Sequence, residues 1–289
     1  MSSSQQSLPG FKTLLFGDSG DGKTHVIRTL LRSGIQPLVL ATEPGMRALA
    51  RCDNPTCPVC KSVPADAGPI PWAYVPPSSG DIATLIQQSE WVNTRDQKFL
   101  CAINDTTRSK TYNQFTEVLK HIERFVDSGG KDWGPVPSWN TDRALVLDGL
   151  TSLGDMAMDL FCGRRPLYDK PDYMIAQRSI KSLIVYLTCQ VRCHVIVIAH
   201  LDAGEDSMGR PKGTVLTVGR KLSPDLPRLF DDMPLAYREA DKFRWSTSKF
   251  GMTSKGRNLP IKDAMDPDFG PIVESWKRAG GSIQKTEVV

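Results

Sequence analysis

Apolar residues fall in short blocks separated by glycine-rich or polar turns. Residues 11–16 form a compact apolar run that reads as a buried strand, followed by a glycine-rich turn and a helical run from His25 to Arg32 that stops near Ser33-Gly34. A second apolar run, Pro37 to Ala41, follows after a few residues, the β-α-β spacing of a parallel sheet with right-handed crossovers. Trp72–Val75, Ala144–Leu147 and Val195–Ala199 are further strand candidates. Helical segments are expected at Asp81–Trp91, Tyr112–Val126 and Tyr173–Val191, the last with Ile175, Ile180, Leu183, Ile184 and Leu187 close to helical spacing. Near the C-terminus, Leu235–Arg238 and Phe243–Thr247 flank a polar turn and read as an antiparallel hairpin. The fold class is therefore α/β, a mainly parallel sheet flanked by helices on both faces. One domain is expected over residues 11–279, carrying a Cys/Pro-rich insertion at 51–77, with disorder at 1–10 and 280–289.

Composition narrows this only slightly. The chain has 289 residues, enough for one sizeable core. No run approaches roughly 18 consecutive apolar residues, so no membrane span is expected. The N-terminus lacks the basic and apolar regions of a leader peptide. Seven cysteines, an odd number, fit reduced thiols and a cytoplasmic setting. The net charge of +4 does not by itself argue for nucleic acid.

The strongest chemical signal lies between the first strand and the first helix. Residues 17–24 satisfy the G-x-x-x-x-G-K-[ST] pattern in the strand-turn-helix context it requires. Such a loop wraps phosphates with backbone N–H groups and adds the positive end of a helix. ATP contacts are expected from Gly17, Asp18, Ser19, Gly20, Asp21, Gly22, Lys23, Thr24 and His25. Lys23 would reach the β- and γ-phosphates, and the Thr24 hydroxyl would ligate Mg²⁺. The run Arg143–Asp148 is an apolar strand ending in an acid, which makes Asp148 the second Mg²⁺ residue. Glu43, just past the second strand, stands where it would orient or deprotonate the attacking water. His200, at the end of the Val195–Ala199 run, reads either as a γ-phosphate contact or as a strand-end histidine bonded to backbone.

Taken in order, Gly17–Thr24, Leu38–Glu43, Leu145–Ser152 and Val195–His200 resemble the RecA recombinase core over roughly residues 11–260. The resemblance implies that Glu43 activates water and Asp148 supports the metal. That family usually has glutamine at the place of His200, where it senses the γ-phosphate and signals to a DNA-binding loop. The chain is most similar to phage-encoded RecA-core ATPases linked to single-strand annealing and recombination, whose C-terminal portion carries a basic Lys-x-Arg element, here Lys255-Gly256-Arg257. Lys255 and Arg257 would then approach the γ-phosphate of a neighbouring subunit, which implies a homo-oligomer, ring or filament, with shared active sites. Single-stranded DNA is the implied partner.

Two basic loops are candidates for that DNA: one with Arg164, Arg165, Tyr168 and Lys170, the other with Arg210, Lys212, Arg220 and Lys221. Basic groups pair with phosphates and an aromatic ring stacks on a base, contacts that need no sequence reading. Separately, Cys52, Cys57 and Cys60 form a knuckle suited to structural Zn²⁺, with Cys101 or His121 as candidates for the fourth ligand. Two other functions share this core: a helicase or packaging motor, and a nucleotide-switched assembly module that does not touch DNA.

Overall fold

The computed structural model describes residues 7–77, 82–96, 112–163, 170–219 and 221–287. Its strands are β1 (Lys12–Gly17), β2 (Gln36–Ala41), β3 (Trp72–Tyr74), β4 (Arg143–Asp148), β5 (His194–Glu205), β6 (Pro211–Val215), β7 (Leu235–Glu239) and β8 (Lys242–Ser246). They form a sheet in the order β3-β2-β4-β5-β1-β7-β8, with β6 paired to the far end of β5. Every pair from β3 through β7 is parallel, and β7–β8 is the antiparallel hairpin. This is the expected α/β fold, a mainly parallel sheet flanked by helices with an antiparallel C-terminal hairpin.

Strand alternation divides the apolar residues between two cores. Leu14, Leu38, Leu40, Leu145, Leu147, Val195 and Val197 face one layer, with helices Gln114–Glu123, Leu150–Cys162 and Lys170–Cys189. Leu15, Val39, Ala144, Val146, Ile196 and Ile198 face the other, with helices His25–Ser33 and Gly270–Arg278. Because both faces are covered, the central strands are continuous apolar runs, which makes them readable in the sequence. Glycine is required where β7 meets the end of β1: a Cβ on Gly17 would lie 2.2 Å from the Ala236 carbonyl oxygen.

The described parts of both chain ends are bonded to the core. Within the expected tail 280–289, residues 282–286 lie along the loop before β4. The Thr141 hydroxyl donates to Ser282 O (2.7 Å), Asp142 N to Gln284 O (3.1 Å) and Thr286 N to Asp142 Oδ1 (3.0 Å), while Ile283 packs on the second core. Residues 7–10 are likewise held, with Gly10 N donating to Arg192 O and Trp276 Nε1 to Pro9 O. Small polar residues alternating with Ile283 read as tail in isolation, but the backbone finds partners on a neighbouring loop. The expected 51–77 insertion also contributes to the core, since its last residues form edge strand β3.

Beneath this end of the sheet, His194 is fully buried. Phe11 N donates to its Nδ1 (3.2 Å), which leaves Nε2–H to donate to Thr141 O (3.0 Å). Burial pushes the imidazole down to about 3, so the folded chain holds it neutral. A depressed folded value means that this stability is complete above the unfolded value of about 6.5 and is lost as pH falls towards 3. Chemical denaturation across that range should show stability falling by up to about 1.4 kcal/mol per pH unit from this group. His194→Gln should flatten the slope, and an unchanged slope would contradict the assignment.

Candidate active site

The turn after β1 curls over the start of helix His25–Ser33, with Gly20 and Gly22 in the left-handed region at φ 86° and 77°. A Cβ on Gly20 would meet nothing within 4 Å, so the loop is open at that position. Gly22 lies beneath the Phe243 ring of β8, so the C-terminal hairpin borders the loop. Asp21 caps the loop internally, its carboxylate accepting from Asp18 N (2.8 Å). Lys23 is only 6% exposed, and its ammonium donates to the carbonyls of Gly17 (2.8 Å) and Asp18 (2.6 Å). Burial lowers its pKa, and Asp21, Asp148 and Glu43 oppose the shift.

Behind the loop, the Thr24 hydroxyl donates to Asp148 Oδ2 at 2.7 Å. Burial raises the Asp148 carboxyl pKa, the Thr24 bond opposes that, and the nearby Glu43 adds to it. A buried acid next to a second acid is a place where a divalent cation is favoured, and a hydroxyl with a carboxylate is a hard oxygen donor set. Thr24 and Asp148 thus fit Mg²⁺, which when bound would neutralise charge on the nucleotide phosphates.

Glu43 is held at both oxygens. Ser152 Oγ donates to Oε1 (3.0 Å) and His200 Nε2 to Oε2 (2.8 Å). The Thr42 hydroxyl donates to Gly149 O (2.8 Å), which locks the end of β2 to the end of β4. Gly149 sits at φ 117°, and a Cβ there would come 2.3 Å from Thr42 Oγ1 and 2.9 Å from Glu43 Cγ, so only glycine leaves room for the pair. Lys23, Thr24, Glu43, Asp148, Gly149 and His200 line one cleft of about 290 Å³.

Sequence reading gives no role to Ser152 or Thr42. The helix carrying Ser152, Leu150–Cys162, is not among the expected elements, although Leu150, Leu153 and Ala157 fall at helical spacing and would have revealed it. His25, expected on the nucleotide, lines the cleft, and its ring also faces the insertion: Nδ1–H donates to Ala48 O (3.0 Å) and Nε2 lies 3.5 Å from both Cys57 Sγ and Cys60 Sγ. Of the two expected fourth ligands, His121 packs on Phe125, away from the cysteines, and Cys101 lies outside the described residues.

Arg164, Arg165, Tyr168 and Arg220 lie outside the described residues, Lys170 opens helix Lys170–Cys189, and Lys221 is exposed. The second basic loop is largely the β5–β6 hairpin, with Lys212 on β6 and Arg210 paired to Asp206 (2.7 Å) at its tip. Lys255 and Arg257 do not line the cleft. The Lys255 ammonium donates to the Pro227 and Phe230 carbonyls of its own chain, so it fastens a local loop. Arg257 pairs with Asp231 (3.0 Å), its side chain 74% exposed.

Among solved structures, the chain is similar to the RadB recombinase, at 14% identity with 89% of this chain and 86% of that chain covered and a TM-score of 0.39. It is also similar to a prototypical ATPase of the type III secretion system of pathogenic bacteria, at 14% identity with 86% of this chain and 58% of that chain covered and a TM-score of 0.39. No curated protein matches it. A family model described as AAA domain matches residues 10–263, which include the phosphate loop, Glu43, Asp148 and His200. The chain belongs to this AAA-domain family and is a P-loop ATPase.

Proposed function

We propose that this ATPase couples its nucleotide state to a grip on single-stranded DNA and acts in recombination or strand annealing of the phage type. The observation that carries this reading is the change of partner along β5. His200 is the last β5 residue in register with β1, opposite Gly17 of the phosphate loop, and Leu201 is the first in register with β6, opposite Val215. The His200 carbonyl also accepts from Leu216 N (2.8 Å) at the root of the hairpin. His200 therefore sits between the phosphate loop and an exposed hairpin while its ring bonds Glu43.

In turnover, Glu43 orients a water and takes its proton as the oxygen bonds the γ-phosphorus and the bond to the β-phosphate oxygen breaks, giving ADP and phosphate. The γ-phosphate and Glu43 compete for the His200 N–H, so loss of phosphate shifts the ring and with it the hairpin root. Lys212, Lys221 and Lys170 supply positive charge for a DNA backbone; Arg210 is partly spent on Asp206. Arg257, its side chain 74% exposed, would exchange its bond to Asp231 for a neighbouring subunit in an oligomer.

Fluorescence anisotropy of a labelled oligothymidylate tests the coupling. Binding should be tighter with a non-hydrolysable ATP analogue than with ADP. Lys212→Glu should weaken binding and reduce the slope of log K against log salt by about one. His200→Ala should bind DNA equally in both nucleotide states. No binding at low salt in any nucleotide state would instead favour a switch module that never touches DNA.

A further inference from the structure

The insertion brings three thiols to one imidazole. Cys60 is buried, Cys57 half-buried and Cys52 exposed, and none is in a disulfide. Cys52 Sγ lies 3.5 Å from Cys60 Sγ, and His25 Nε2 lies 3.5 Å from both Cys57 Sγ and Cys60 Sγ. All four ligand atoms fall within 4.8 Å of one another. With Zn–S near 2.3 Å and Zn–N near 2.05 Å, a tetrahedral ion has edges of about 3.8 Å between sulfurs and about 3.6 Å from sulfur to nitrogen. The spacings in the fold are those edges to within a few tenths of an ångström along the three bonded pairs.

We infer that His25, Cys52, Cys57 and Cys60 form a Cys₃His site for one structural Zn²⁺, and that this site fastens the phosphate loop to the strand end that carries Glu43. Three thiols and an imidazole select a soft or borderline cation over Mg²⁺, which keeps the two metals apart. The outer contacts are in place. Nδ1–H of His25 donates to Ala48 O, which fixes the tautomer that aims Nε2 at the thiols. Arg51 donates to the Cys60 carbonyl (2.8 Å), and Lys61 N bonds Cys57 O (3.0 Å), closing the turn between Cys57 and Cys60 around Pro58.

The placement of His25 gives the site its consequence. It directly follows Thr24, and its partner Ala48 lies in the short helix Met46–Leu49 after Glu43. Arg28, one turn further on, reaches Leu49 O (2.7 Å) in the same helix. The ion would thus join the insertion to both segments that supply the active site without touching ATP.

The full chain, purified without chelators, should carry one equivalent of zinc by elemental analysis, and cobalt exchange should give the visible bands of a tetrahedral thiolate site. His25→Ala should cost more affinity in chelator competition than the roughly 10- to 100-fold attached to an outer partner. His121→Ala and Cys101→Ser should leave affinity unchanged. A zinc-selective chelator with Mg²⁺ in excess should weaken ATP binding by the wild-type chain. Absence of zinc together with absence of cobalt bands would overturn the site, as would a Cys52–Cys60 disulfide in the purified chain. Loss of metal in Cys101→Ser with His25→Ala unaffected would overturn the ligand set, and unaltered ATP binding after zinc removal would overturn the link to the phosphate loop. The wild-type metal content and the two control variants decide the matter even if His25→Ala does not fold.

Discussion

Glu43→Gln should bind ATP as the wild type does and turn it over slower by about 10²-fold or more, the size expected from losing an acid–base group. The geometry makes this a clean substitution. The amide oxygen of the new side chain can still accept from Ser152 Oγ at the position of Oε1, and the His200 ring can present its other tautomer to the amide nitrogen. Shape and packing are kept while the carboxylate proposed to receive a proton is removed. Nucleotide binding by calorimetry and phosphate release in one preparation separate the two effects, and normal turnover in the variant would remove Glu43 from the chemistry.

Lys23→Met should give two changes of opposite sign. Each charge-assisted bond to phosphate is worth about 1.5–3 kcal/mol, so ATP affinity should fall roughly 10- to 100-fold. Stability without nucleotide should rise. The Lys23 pKa is lowered in the fold from 10.5 by burial, so its favourable contribution exists only above that value and is gone once pH falls below the folded value. At pH 7 the charged, buried group is a cost, and a methionine of similar length removes it without opening a cavity. Thermal melts with and without Mg-ATP read both effects: Tm without ligand should rise and the ligand-induced shift should shrink. A variant that loses ATP binding and also melts lower would mean that the lysine bonds to Gly17 and Asp18 support the loop itself.

The parallel sheet and the phosphate loop are legible in the sequence because both are local signals. Strands buried on two faces give runs such as Val195–Ala199, and residues 17–24 carry their geometry in their own spacing. Asp148 and Glu43 follow from their positions after strands. What sequence does not yield are partnerships between distant segments. Nothing in the spacing pairs His25 with thiols at 52, 57 and 60, so Cys101 and His121 stand out as fourth ligands in its place. The tail from Gly280 lacks a helical or strand pattern because its bonds go to the loop at 140–142. The hairpin β5–β6 reads as a loop because its polar residues cover no core on either side of Gly204.

Steady-state ATP hydrolysis by the full chain, with and without a single-stranded oligonucleotide at two salt concentrations, tests the coupling of this cleft to DNA most directly. Hydrolysis stimulated by the strand, with the stimulation fading as salt rises and missing in His200→Ala, is the predicted result. A rate that the strand leaves unchanged at both salt concentrations would contradict it.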